Sequence, residues 1–138
     1  MSQHEVTLLL GSNLGNPENN IEKAITFIEQ EIGSIEKRSE VLITKPVEFD
    51  STNIFCNIAL LIKTQESPVN ILNLIKSIEK KMGREYDTIF SGEYQDRIID
   101  IDIVSICNLF FWSRRLEIPH VKHLHQRDFS RKLLEQLE

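Results

Sequence analysis

The stretch DRIIDID, from Asp96 to Asp102, sets two carboxylates two residues apart inside an otherwise apolar run. Side chains alternate along an extended chain, so Asp100 and Asp102 share one face while Ile99, Ile101 and Ile103 take the other. Their backbones then lie about 6.5–7 Å apart, twice the rise per residue. That gap is wide for a shared proton but suits hard cations. Mg²⁺ commonly takes one or two carboxylates and completes its shell with water and substrate phosphates. The bland reading is the solvated side of an edge strand, and a bare DxD does not decide between the two. The nearby cations add weight to the first. Arg97 precedes the pair, Arg84 opens the loop before it, and Arg115, Lys122 and Arg127 follow near His120. An acidic chain that gathers cations beside such a strand is suited to a polyphosphate. The matching chemistry is metal-assisted phosphoryl transfer, which depends mainly on positioning and charge neutralisation.

The elements that must hold these residues fit one domain spanning 1–138. A chain of this length buries roughly two-thirds of its unfolded surface. With 41% hydrophobic and 27% charged residues it reads as an ordinary globular protein. The formal net charge of −5 argues against bulk nucleic-acid binding. Cys56 and Cys107 form no CxxC pair, so a reducing, cytoplasmic setting is expected. The apolar run in MSQHEVTLLLGS is too short for a membrane helix and lacks a basic flank.

VTLLLGSN reads as a buried strand, and NPENNIEKAITFIEQEIG as a helix. Asn16 caps that helix, Pro17 opens it and Gly33 takes the C′ position, with Ile21, Ala24, Ile25, Ile28 and Ile32 as its inner stripe. SIEKRSEVLIT reads as one strand with Ile35, Val41 and Ile43 at strand parity, and Asn53–Thr64 as a second. Ser67, Pro68 and Gly83 frame another helix whose stripe is Ile71, Leu74, Ile75, Ile78 and Met82. A polar stretch, REYDTIFSGEYQD, then precedes the strand RIIDIDIVSI; its length suits a lid. The order β-α-β-β-α-β predicts an α+β, ferredoxin-like domain, with both helices on one face of a mainly antiparallel sheet. The other sheet face is expected to be free for a site.

Five segments occur together along nearly the whole chain: GSNLGN at Gly11–Asn16, NIFCNIAL at Asn53–Leu60, IEKKMGR at Ile78–Arg84, RIIDIDI at Arg97–Ile103, and IPH with RDF within Ile118–Phe129. On them the chain resembles the 6-hydroxymethyl-7,8-dihydropterin pyrophosphokinase family of folate biosynthesis. The resemblance implies transfer of the β,γ-diphosphate of ATP to the pterin hydroxymethyl group, with release of AMP. It makes Asp100 and Asp102 the ligands of two Mg²⁺ ions that bridge the ATP phosphates. Arg97, His120 and Arg127 correspond to phosphate-holding positions, and Arg84 to an arginine that reaches in from the loop. Glu79 and Arg115 correspond to nucleotide contacts outside the triphosphate, and Lys76 stands at a polar ATP-contacting position. Phe55 and Asn57 share a strand face and match an aromatic and an amide that hold the pterin. Thr44 and Val47 fall in the segment lining that pocket. Phe129 supplies a second aromatic slab, and Tyr94 stands at a loop position often held by Trp. The chain departs from the family pattern at Tyr86, at Gln95-Asp96 and in a shorter C-terminal stretch.

Blander readings attach to the remaining features. GSNLGN lacks both GxxxxGK[ST] and GxGxxG, so a tight turn is the better reading than a phosphate loop. His120, His123 and His125 lack a fourth zinc ligand. Phe110, Phe111 and Trp112 read as packing residues, Lys80 and Lys81 as a solvated face, and Cys56 as structural. The rival function is a non-catalytic ferredoxin-like module, either a degenerate pterin or nucleotide binder or an RNA-binding domain. Paired aromatics within a basic surface, the mark of the last, are absent from the sequence. The expected partners are therefore ATP and the pterin, with no nucleic acid and no membrane, and the expected state is a monomer.

Overall fold

Alternating apolar runs and two amphipathic stripes bury the same surface only if the helices lie together on one side of a sheet. The computed structural model describes residues 3–44, 54–83, 98–107, 111–112, 117–118 and 128–138. Strand β1 (His4–Ser12) leads through α1 (Pro17–Glu31) to β2 (Ser34–Arg38), β3 (Leu42–Thr44) and β4 (Phe55–Thr64). Helix α2 (Pro68–Lys81) precedes β5 (Asp100–Ile106), a short pair β6 (Phe111–Trp112) and β7 (Glu117–Ile118), and α3 (Asp128–Glu135). The main sheet runs β2-β4-β1-β5 with β3 also on β4, and each of these pairings is antiparallel. This is the ferredoxin-like split β-α-β arrangement.

Both helices begin as predicted. Asn16 accepts a hydrogen bond from Asn19 N–H at 3.2 Å, Ser67 accepts one from Asn70 N–H at 3.2 Å, and a proline follows each cap. Their stripes meet Val6, Leu8, Leu10, Ile58, Leu60, Ile62, Ile99, Ile101 and Ile103 in the main core. Lys81 also ties the helices together, its ammonium 2.6 Å from Glu31 Oε1 and 5.6 Å from the Phe27 ring centroid. Gly33 ends α1 because nothing larger fits. A β-carbon there would lie 2.1 Å from the Lys63 carbonyl oxygen.

Two expectations need correction. The segment from Ser34 to Thr44 is two strands rather than one. Ser39 accepts from Ala59 N–H through its hydroxyl at 2.9 Å and donates its own N–H to Ala59 O, so a side chain replaces part of the backbone ladder. Beyond this break Leu42 packs on one sheet face, while Ile43 is 52% exposed. Nor is the face opposite α1 and α2 free. Leu133 and Leu137, at the C-terminal end of the chain, cover Leu9, Ala59 and Val104 in a second apolar cluster. Glu40 and Gln136 exchange hydrogen bonds of 2.9 and 3.1 Å and fasten that end to the β2–β3 link. The β6–β7 pair was likewise not expected from the sequence.

Candidate active site

Register decides which side chains meet on the partly covered face. Gly11 pairs with Asn57 of β4 on one side and with Asp100 of β5 on the other. Leu42 of β3 extends this row beyond Asn57. The next row sets Ala59, Leu9 and Asp102 side by side, and Thr44 stands opposite Phe55. Asp100 and Asp102 therefore lie on the predicted common face, opposite the core isoleucines Ile99, Ile101 and Ile103. Both aspartates are half-buried, as are Phe55 and Thr44, whereas Asn57 is buried.

Gly11 leaves the centre of this face to two side chains from β4. A β-carbon at this position would meet Phe55 Cε1 at 2.8 Å and Asn57 Oδ1 at 2.9 Å, so the ring and the amide lean over the glycine backbone. The sequence marks Gly11 as the end of a strand and the start of the GSNLGN turn, not as a place for two neighbouring side chains. Its place inside an apolar run was the available signal, since strand glycines often mark a close approach. The covering cluster of Leu133 and Leu137 lies over Leu9, Ala59 and Val104, beside the row that contains Gly11. Phe55 and Asn57 thus fill the space over Gly11, and Asp100 and Asp102 stand on the same face of the neighbouring strand.

The aspartates fit a hard cation: they are oxygen donors and share a face. Among the described residues no cluster of three or more His, Cys, Asp or Glu forms a closed metal site. Two carboxylates that leave coordination positions to a substrate suit Mg²⁺ better than an all-protein cage.

Helix α2 approaches the site from behind. Glu79 is only 2% exposed, and its Oε2 accepts the Ile101 N–H at 2.8 Å. Lys76 Nζ, on a side chain 45% exposed, lies 3.6 Å from Glu79 Oε1. Lys76 and Glu79 thus adjoin the strand that bears both aspartates. At the far end of β1, Gly11 and Ser12 of GSNLGN still pair in the sheet and residues 13–16 turn the chain into α1: Asn20 Nδ2 donates to Ser12 Oγ at 3.1 Å and to Leu14 O at 2.7 Å, and Gly15 has φ of 63°. Cys56 is fully buried on the helix-covered face. Burial pushes its thiol up in pKa and the Glu18 charge adds to the rise, so it is unsuited to act as a nucleophile.

Arg84, Arg97, Arg115, His120, Arg127, Val47 and Tyr94 lie outside the described residues, as do His123, His125, Phe110 and the stretch from Arg84 to Asp96. Phe129 falls in α3 by its backbone, and its side chain lies outside the description. Among the described residues, no helix is long and apolar enough to cross a membrane.

Comparison with known proteins agrees with this geometry. The sequence model of the 7,8-dihydro-6-hydroxymethylpterin-pyrophosphokinase family matches residues 7–138. A 2-amino-4-hydroxy-6-hydroxymethyldihydropteridine pyrophosphokinase of Porphyromonas gingivalis is 34% identical over 128 residues, covering 91% of this chain and 85% of that protein. The protein of the same name from Aquifex aeolicus is 36% identical over 124 residues, covering 90% of this chain and 74% of its own. Among solved structures, a triple mutant of Plasmodium falciparum HPPK-DHPS superposes with a TM-score of 0.72 at 18% identity. The match takes in 99% of this chain and 40% of that one, and supports the fold alone.

Proposed function

The chain belongs to the 7,8-dihydro-6-hydroxymethylpterin-pyrophosphokinase family and is an ATP-dependent pyrophosphokinase of folate biosynthesis, and from that premise we propose which residues perform the transfer. ATP gives its β,γ-diphosphate to 6-hydroxymethyl-7,8-dihydropterin. The hydroxymethyl oxygen bonds to the β-phosphorus, the bond from that phosphorus to the α,β-bridging oxygen breaks, the hydroxyl proton is lost, and AMP departs. Nothing favours the rival reading of a non-catalytic binding module.

Asp100 and Asp102 would hold the two Mg²⁺ ions that accompany ATP. The chemistry such ions would supply there is neutralisation of charge on the migrating group. Arg84, Arg97, His120 and Arg127 grip phosphate oxygens, and Lys76 and Arg115 line the rest of the nucleotide site, with Glu79 buried behind β5 rather than against the nucleotide. Phe55 and Phe129 stack on the pterin, Asn57 donates to and accepts from its ring edge, and Thr44, Val47 and Tyr94 close the pocket. The observation that carries this division is the cross-strand row Asn57, Gly11, Asp100. It supports a pterin on the Asn57 side with its hydroxymethyl group directed over Gly11 toward the aspartates. The backbones of Asn57 and Asp100 are about 9–10 Å apart, twice the spacing of neighbouring strands, a separation comparable to the length of a planar bicycle with its reacting arm.

The protein acts in the cytoplasm as a monomeric single domain on two small molecules, without a nucleic-acid or membrane partner; its net charge of −5 supports that choice. The test is AMP release from Mg-ATP with and without 6-hydroxymethyl-7,8-dihydropterin. AMP is expected only when the pterin is present. A folded protein that releases none, or that splits ATP equally without the pterin, would overturn the reading.

A further inference from the structure

Glu79 is a charged side chain at a place where its helix otherwise offers only apolar groups to the core. Ile71, Ile75 and Ile78 on α2 are all fully buried, and Glu79 at 2% exposure lies among them. A carboxylate so placed costs several kcal/mol of desolvation unless strong hydrogen bonds offset it, and an apolar side chain of equal volume would pack at no such cost. Its role follows from what it bonds. Among the described residues, strand β5 lies at the end of the sheet path and pairs with β1 alone within that sheet, with β7 in contact beside it. Alternation along an antiparallel edge strand turns every second N–H outward, away from its neighbour. Ile101 is such a residue, and Glu79 Oε2 accepts its N–H at 2.8 Å.

Ile101 is also the residue between the two aspartates. Asp100 and Asp102 are registered on β1 against Gly11 and Leu9, on the inner side of the strand. Glu79 holds the strand from the outer side, midway between them. The regular pairing is short: the register of β5 on β1 shifts between Leu8 and Thr7, just beyond Ile103. A short edge stretch next to a bulge twists easily, and a twist would turn the two carboxylates apart.

We infer that Glu79 is a positioning residue, whose carboxylate pins the Ile101 amide and so fixes the spacing and common facing of Asp100 and Asp102. This rests on reading those aspartates as the metal-binding pair. Lys76, with its ammonium 3.6 Å from the second oxygen, balances the buried charge from the solvent side. Groups that orient metal ligands in this way typically matter 10–100-fold in metal affinity or activity, on the order of one to three kcal/mol.

The test compares Glu79→Gln, which keeps an acceptor without charge, with Glu79→Leu, which keeps volume without an acceptor. Amide exchange at Ile101 is read first, in protein free of metal and nucleotide. Relative to neighbouring amides, Glu79→Leu is expected to speed it by about tenfold, the loss of roughly one hydrogen bond, and Glu79→Gln by much less. In steady-state assays Glu79→Leu should lower kcat and raise the Mg²⁺ concentration for half-maximal rate by about 10–100-fold, leaving the pterin KM unchanged. Glu79→Gln should restore most of both. Where Glu79→Leu does not fold, Glu79→Asp replaces it: it keeps the charge, draws the oxygens back by one methylene, and should behave as Glu79→Leu does. Equal damage by Glu79→Gln, unaltered Ile101 exchange in the acceptor-lacking variant, or an unaltered Mg²⁺ requirement would each overturn the inference. The exchange measurement needs no turnover, so a failure of the proposed reaction shows separately as a wild-type protein that releases no AMP.

Discussion

Asn57 Oδ1 lies 2.9 Å from the point where a β-carbon on Gly11 would stand, although the two residues are on different strands and 46 positions apart in the chain. The missing side chain lets an amide from β4 lean into the middle of the face that also carries Asp100 on β5. One cross-strand row thereby joins a group suited to a heterocycle edge with a group suited to a cation.

Gly11→Ala should therefore act on pterin binding. The new methyl would meet Phe55 Cε1 at 2.8 Å and Asn57 Oδ1 at 2.9 Å, both side-chain atoms that can swing away. The protein is expected to fold, with the ring and amide displaced and pterin affinity reduced by about 1–3 kcal/mol, the usual range for overpacking. Asn57→Ala should weaken pterin by a similar amount of about 1–3 kcal/mol through lost hydrogen bonds, and nucleotide far less. Calorimetric titration with each ligand checks both. A Gly11→Ala protein with normal pterin affinity and a lower melting temperature would assign Gly11 to packing alone.

Asp100→Ala and Asp102→Ala should each abolish most turnover and leave the fold intact. Both aspartates are half-buried on the face away from α1 and α2, so neither belongs to the main apolar core. Loss of a metal ligand removes several kcal/mol of charge stabilisation, on the order of a thousandfold in rate. Pterin-dependent AMP release, measured beside thermal unfolding, separates this outcome from misfolding. Retention of full activity by either variant would remove that residue from the site.

Much of this arrangement was legible in the sequence because it depends on local periodicity. The stripe of α1, from Ile21 to Ile32, and the parity of Asp100 and Asp102 follow from angles per residue alone, as does the shared face of Phe55 and Asn57. What was not legible depends on distant partners. The hydrogen-bond partner of the buried Glu79 carboxylate is a backbone N–H 22 residues away. Nothing in SEVLIT indicates that the Ser39 hydroxyl will replace part of a ladder with Ala59. The leucines at 133 and 137 form too short a pattern to show that they cover the second sheet face.

The Glu22–Arg38 pair should give a small, acid-sensitive contribution to stability. Arg38 Nη2 lies 2.5 Å from Glu22 Oε1 and Nη1 lies 3.3 Å from Oε2, which joins α1 to β2. The hydrogen bonds from Arg38 hold the Glu22 carboxyl below its ordinary pKa; partial burial pushes the other way, and attraction to the guanidinium adds a lesser lowering. A lowered folded pKa means that the unfolded chain binds the proton more readily. The stabilisation is thus complete above the ordinary carboxylate pKa and fades as pH falls through the lower folded value. Both side chains are well exposed, so screening limits the pair to about 0.2–1 kcal/mol. Denaturant unfolding of Arg38→Ala should show that deficit at neutral pH and lose it in strong acid. A deficit that persists after the carboxylate is protonated would trace to lost packing of the arginine stem instead.

Leu133 offers a test of whether the covering helix serves the site or only the core. Its side chain is fully buried against the cluster of Leu9, Ala59 and Val104, so Leu133→Ala should cost about 2–5 kcal/mol, depending on how far the cavity collapses. Position 129 lies one turn earlier on α3, and Phe129 is proposed as the second slab against the pterin. Loosening the helix should therefore spread that slab away from Phe55 and weaken pterin binding, with nucleotide affinity nearly unchanged because α2 and β5 are untouched. The comparison is made by titrating each ligand well below the melting temperature of the variant, so that the folded fraction is the same as in wild type. A selective loss of pterin affinity supports the placement of Phe129. A variant that melts earlier but binds pterin as tightly as wild type would show that α3 closes the core and does not form a wall of the pocket.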